Sequence, residues 1–203
     1  MRRLTYIALL LLVLSPMLAH ADDWGISAEV GSSRFSGMPN LRFSKTSDTS
    51  ERLTLDYSFN ETLSLEAGYV DLGKASSSTG HVPCEGAECI VDPSGSSFSE
   101  SVKSHGFVIE PMLRMPFSSI VSLCVRAGLY QGSVDQSNDA SGFVNASSIS
   151  TTRFIFGAGV QFSLNDRWST RLMWDYYGKL GNGQVTSNTN VDVYSLGITY
   201  RFR

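Results

Sequence analysis

Apolar residues recur at every second position through eight separate stretches of this chain, which is the period of β-strands. The stretches are Trp24–Gly31, Arg52–Phe59, Leu63–Val70, Gly106–Met115, Val121–Tyr130, Arg153–Phe162, Trp168–Tyr177 and Val193–Phe202. Each is near the length of about 9–11 residues that a tilted strand needs to cross a bilayer. The connections alternate in length. Asn60–Thr62, Pro116–Ile120 and Ser163–Arg167 are tight, whereas Ser32–Glu51, Asp71–His105, Gln131–Thr152 and Gly178–Asp192 are long and polar. Short turns on one rim and long loops on the other are the pattern of a membrane-spanning barrel. Pro111 lacks an N–H for the ladder, so a bulge or a local gap is expected there.

The two faces differ sharply. One face collects 37 positions, 35 of them Ala, Val, Ile, Leu, Met, Phe, Trp or Tyr, and the exceptions are Pro111 and Thr170. The opposite face carries Glu29, Asp56, Glu66, Glu110 and Asp175 against Arg52, Arg114, Arg126, Arg153, Arg171 and Arg201, separated by glycines and serines. The interior of an eight-stranded barrel is only wide enough for side chains to fill it. Thirty-five apolar residues would overfill it, so they are assigned to lipid and the charged face to the lumen. Aromatics toward the strand ends, among them Trp24, Phe59, Tyr69, Phe107, Trp168 and Phe202, fit interfacial girdles. The fold class expected is all-β: an eight-stranded antiparallel up-and-down transmembrane barrel, with both termini at the short-turn rim. A soluble ligand-binding barrel is the alternative.

Residues 1–21 read as a secretory signal peptide: Arg2 and Arg3, an apolar run Leu4–Leu18, and Ala19-His20-Ala21 before Asp22. The domain expected after cleavage spans residues 22–203, with 182 residues and a formal charge of -5. That charge offers no basic surface for nucleic acid. Secretion makes Cys84 and Cys89 an expected disulfide; a metal site with His81 is the competing reading. Cys124 is left over as a small buried side chain.

The near-balance of charges implies pairing, because an isolated charge in a narrow lumen is costly. Glu29, Asp56, Glu66, Glu110, Arg114, Arg126, Arg153, Arg171 and Asp175 are the expected lumen network, with Glu66, Arg126 and Arg171 in contact. A filled core is favoured over a conducting path at this strand number. No phosphate loop, metal motif or dinucleotide fingerprint is present. Ser104 and His105 are adjacent and so point to opposite faces of an extended segment, a poor catalytic pair.

Leu63-Ser64-Leu65-Glu66-Ala67-Gly68-Tyr69, Arg126-Ala127-Gly128, Gly157-Ala158-Gly159-Val160 and Thr170-Arg171-Leu172 resemble strands of the OmpA-like outer-membrane barrel family. The ending Val193–Phe202, with Tyr194, Leu196, Ile198, Tyr200 and Phe202 on one face, resembles the family's C-terminal insertion signal. The resemblance covers the transmembrane domain and not the peptidoglycan-binding domain of larger relatives. It implies a monomeric barrel in the Gram-negative outer membrane, with a plugged lumen and no cofactor. Of the family's four charged gate positions, Glu66 and Arg171 match two, and Met112 and Gln161 stand at the others. The partners implied are outer-membrane lipid and lipopolysaccharide, the insertion machinery, and a host, phage or envelope molecule at the long loops. A structural or adhesive protein, not an enzyme, is the expected role. A narrow porin-like channel and a lipid-modifying enzyme are the alternatives.

Overall fold

A computed structural model describes residues 23–36, 45–80, 97–140, 143–181 and 189–202. Eight strands follow one another: β1 (Asp23–Ser36), β2 (Ser47–Ser58), β3 (Leu63–Gly80), β4 (Ser97–Pro116), β5 (Val121–Ala140), β6 (Phe143–Ser163), β7 (Trp168–Leu180) and β8 (Thr189–Phe202). Each pairs antiparallel with its sequence neighbour, and β1 closes on β8 with Trp24 opposite Phe202. Closure leaves no edge, so backbone donors and acceptors are satisfied without water, the condition for crossing hydrocarbon.

The three short turns share one device. Asn60 Oδ1 accepts from the Thr62 and Leu63 amides, Asn165 Oδ1 from those of Arg167 and Trp168, and Ser118 Oγ from those of Ile120 and Val121. A side-chain oxygen stands in for backbone at each reversal.

The outer wall is apolar. Leu53, Leu55, Leu172, Leu196 and Ile198 are all well exposed, in the phase expected from the alternation. Ring contacts gather at two levels. Trp24–Tyr57 and Trp168–Tyr200 lie toward the short-turn rim, with centroids 5.0 and 4.8 Å apart. Tyr69–Phe107 and Phe156–Tyr176 lie toward the other, at 5.6 and 5.3 Å.

Pro111 keeps its place opposite Leu65. On the β5 side the pairing passes from Ile109↔Leu129 to Met112↔Arg126 in unchanged register, so Pro111 opens a gap and no bulge. Register shifts occur instead between Asp71 and Lys74 and between Tyr177 and Leu180. Gly73 supplies the first shift with φ +78°, a conformation that costs glycine little.

The long connections need correction. Gln131–Thr152, read from sequence as a loop, is almost entirely ladder: β5 and β6 run for 20 and 21 residues and stay paired to Ala140↔Phe143. β3 and β4 likewise stay paired to Gly80↔Ser97. Beyond the hydrocarbon the outer face of a strand meets water, so the outward apolar positions that mark a spanning strand are no longer required. Pairing persists through the backbone and through contacts such as Ser101 Oγ to Ser137 Oγ at 2.8 Å.

Candidate functional site: a filled lumen

The inward positions of the eight strands meet on the barrel axis. Three arginines and four carboxylates converge there: Arg52 from β2, Arg126 from β5 and Arg171 from β7, against Glu29 from β1, Glu66 from β3, Glu110 from β4 and Asp175 from β7. Arg126 is wholly buried. Its Nη1 and Nη2 donate to Glu29 at 2.9 and 3.0 Å, and its Nε and Nη2 donate to Asp175 at 2.7 and 2.5 Å. Nη1 also reaches Glu66 Oε2 at 3.3 Å. Arg171 sits beside it, with Nη2 2.5 Å from Glu29 Oε1 and Nη1 2.5 Å from Glu66 Oε1. Arg52 pairs with Glu110 and donates from Nη1 to the Tyr177 hydroxyl at 3.4 Å. The planar guanidinium fork allows one Arg126 to serve several carboxylates at once.

Strand register explains the crowding. Asp56 lies opposite Glu66 and Glu66 opposite Glu110, a row of like charges that is unfavourable alone. Arg52 on β2, Arg126 on β5 and Arg171 on β7 converge on the row and offset it. Glycines leave the room: a Cβ at Gly157 would sit 2.0 Å from Asp175 Oδ1.

The remaining charged positions are placed differently. Asp56 accepts from Ser27 Oγ, which also contacts Thr199 Oγ1 at 2.8 Å. Arg114 is buried and donates to Ser58 Oγ at 3.3 Å. Arg153 lies toward the long-strand rim, where its Nη2 donates to the Gly181 carbonyl at 2.8 Å, away from the central cluster. Arg52 joins that cluster. Met112 and Gln161 face inward and are buried. Cys84, Cys89 and His81 lie outside the described residues. Tyr194, Leu196, Ile198, Tyr200 and Phe202 share the outward face of β8.

Above the charged cluster, toward the long-strand rim, the lumen turns apolar. Phe35, Leu72, Val102, Tyr130, Val134, Tyr177, Leu180 and Val191 form one buried cluster. The Tyr130 and Tyr177 rings meet edge to face at 5.6 Å, and Ser104 Oγ lies 2.9 Å from the Tyr130 hydroxyl. The sequence reading assigned charge and glycine to the inner face and did not foresee this second layer. A signal was available. Tyr69-Val70, Phe107-Val108, Leu129-Tyr130, Phe154-Ile155 and Tyr176-Tyr177 are adjacent apolar pairs at the same end of five strands, so both faces are apolar there. Ser104 points into this layer, fully buried, while His105 faces outward with Nδ1 3.7 Å from Asp135. The two are not brought together.

Residues 19–203 match the family model of the OmpA-like transmembrane domain. The chain belongs to this family. Its members are barrels of the Gram-negative outer membrane, so the apolar wall of this OmpA-like barrel faces lipid. Similar solved structures share the architecture. One is Ail, the attachment invasion locus protein of Yersinia pestis: 21% identity, TM-score 0.56, covering 89% of this chain and 98% of that one. Another is Neisserial surface protein A, at 15% identity and TM-score 0.55 over 90% of this chain and all of that one. A third is OprG from Pseudomonas aeruginosa, at 14% identity and TM-score 0.53 over 90% and 97%. No curated protein matches the chain by sequence.

Proposed function

We propose that this OmpA-like barrel is a structural and adhesive protein that acts through its long-strand rim, outside the cell, around a lumen that serves as a plug. Residues 1–21 act as a cleaved leader, so mature protein begins at Asp22. The short-turn rim then faces the periplasm.

One observation carries the reading. Arg126 is wholly enclosed by carboxylates from β1, β3, β4 and β7, with an apolar layer stacked on the outer side. A water-filled path through such a section would have to break several charge-assisted bonds at once. The spanning segment therefore supplies stiffness, and the contact surface lies on β3–β4 and β5–β6, which rise past the membrane. A Cys84–Cys89 disulfide would stiffen the β3–β4 tip.

Charge narrows the partner. Ail has been crystallised with a heparin analogue, sucrose octasulfate. Here the four connections on the long-strand side carry ten Asp and Glu against six Lys and Arg. That surface repels a polyanion and favours a neutral or cationic partner.

Planar-bilayer recording and whole-cell binding test the proposal together. The expected outcome is no large steady conductance from wild-type protein, and binding to host or envelope material that is lost on deletion of residues 80–92 with insertion intact. A steady open pore in wild type refutes the plug and favours a narrow channel.

A further inference from the structure

Below the charged cluster the lumen holds a separate layer built on sulfur. Met112 from β4, Cys124 from β5 and Met173 from β7 are buried against one another as their own cluster. Strand register shows how three strands bring them together. Cys124 stands opposite Gly159 of β6, and Gly159 stands opposite Met173. Because Gly159 has no side chain, the Met173 thioether lies over it: a Cβ there would be 2.4 Å from Met173 Sδ. Met173 thus reaches across β6 toward Cys124. Met112 is paired with Arg126 one step along the same ladder on which Arg114 pairs with Cys124, so it approaches Cys124 diagonally, within the span of a long side chain. Ser64, directly opposite Met112, is fully buried and its hydroxyl lacks a hydrogen-bond partner. This unpartnered hydroxyl opposite Met112 distinguishes the layer from a sealed apolar core.

We propose that Cys124, Met112 and Met173 form a binding site for a soft monovalent cation of the copper(I) class. Thiolate and thioether donors select copper(I) over hard cations, and Met has the rotatable bonds to close on an ion. Binding exchanges one proton for one ion: the Cys124 thiol gives up H⁺ to solvent, and the S–Cu bond forms with no change of oxidation state. The thiolate–copper(I) unit is neutral. It therefore adds no net positive charge beside Arg171, whose Nη1 lies 4.0 Å from Met112 Sδ. Glu29 and Glu66 already engage that arginine.

The test is copper(I) titration of detergent-folded protein under reducing conditions against a chromogenic chelator, with X-ray absorption at the copper edge. Cys84→Ser/Cys89→Ser protein is the parent, so that loop thiols do not contribute. One copper(I) per chain with an all-sulfur shell is expected. Met112→Leu and Met173→Leu preserve volume and should each weaken binding at least tenfold and remove one sulfur from the shell. Cys124→Ser should abolish binding while the folded gel band is kept. Absence of stoichiometric binding, or an affinity untouched by both Met→Leu changes, overturns the site. Either Leu variant failing to fold leaves the parent's sulfur count as the deciding measurement: fewer than three sulfurs refutes it.

Discussion

Arg126 grips Glu29 with both terminal nitrogens, Nη1 to Oε1 at 2.9 Å and Nη2 to Oε2 at 3.0 Å, and Arg126 is fully buried. Removing one partner of such a pair strands the other charge, a loss of about 3–5 kcal/mol. Arg126→Met should lower folded-state stability by that order, read as a fall in the urea midpoint of the folded gel band. Adding Glu29→Gln should recover part of the loss, because the two effects are coupled. Additive losses would mean that the pair contributes little.

The apolar layer closes the outer half of the lumen. Tyr130→Ala and Leu180→Ala each remove a wholly buried side chain, at a cost of about 2–5 kcal/mol. Water entering the space shortens the plug. Brief conducting events, rare or missing in wild type, should become frequent in the double variant, as counted in planar bilayers. Unchanged records would place the barrier in the charged cluster alone.

Outward and inward positions on one strand should differ in their tolerance of a larger polar side chain. Leu196 is on the lipid face and exposed on the outer wall. Leu196→Arg should destabilise by roughly 2–4 kcal/mol in bilayers. The neighbouring inward residue Ser195 donates to Glu29 Oε2 at 3.0 Å, and Ser195→Asn keeps a donor there at lower cost. Equilibrium unfolding in liposomes compares the two.

At the long-strand rim, Lys45 Nζ lies 2.9 Å from Asp48 Oδ1, and the Lys74 amide donates to Asp48 Oδ2 at 2.8 Å. The Lys45 bond, helped by the amides of Lys74 and Thr49, holds the Asp48 carboxyl below its ordinary value of 3.8. A lowered native value means that the unfolded chain takes the proton first. The contact therefore supports the rim fully above the ordinary carboxylate value and is lost as pH falls through the lowered one. Lys103 moves the other way, since Asp71 at 2.9 Å raises it above 10.5. Its support is complete below the ordinary lysine value and disappears as pH rises through the raised one. The Lys74 amide resonance should titrate with a midpoint below 3.8, and Asp48→Asn should remove that titration.

The spanning half of this fold is written in the chain because lipid enforces it. Leu53, Leu55, Leu172 and Leu196 cannot face inward in so narrow a barrel, and the strand phase follows from them alone. The charged partners are less legible. Period two puts Arg52, Arg126 and Arg153 on one face, but shear between strands decides which of them meet. Arg52 arrives beside Glu110 while Arg153 ends at Gly181. The rim is least legible. Around Ser133, Asp135 and Ser137 only Val134 is wholly buried, too little alternation to declare a strand, and their pairing with Ser150, Ser148 and Ala146 does so.

A ladder that stays zipped to Ala140↔Phe143 behaves as a mast. From Leu129, the last outward apolar position of β5, to Ala140 the chain covers roughly 35 Å along the strand. A molecule landing on that tip is kept at a set distance from the bilayer, and residues added there would change the distance without disturbing the hull below.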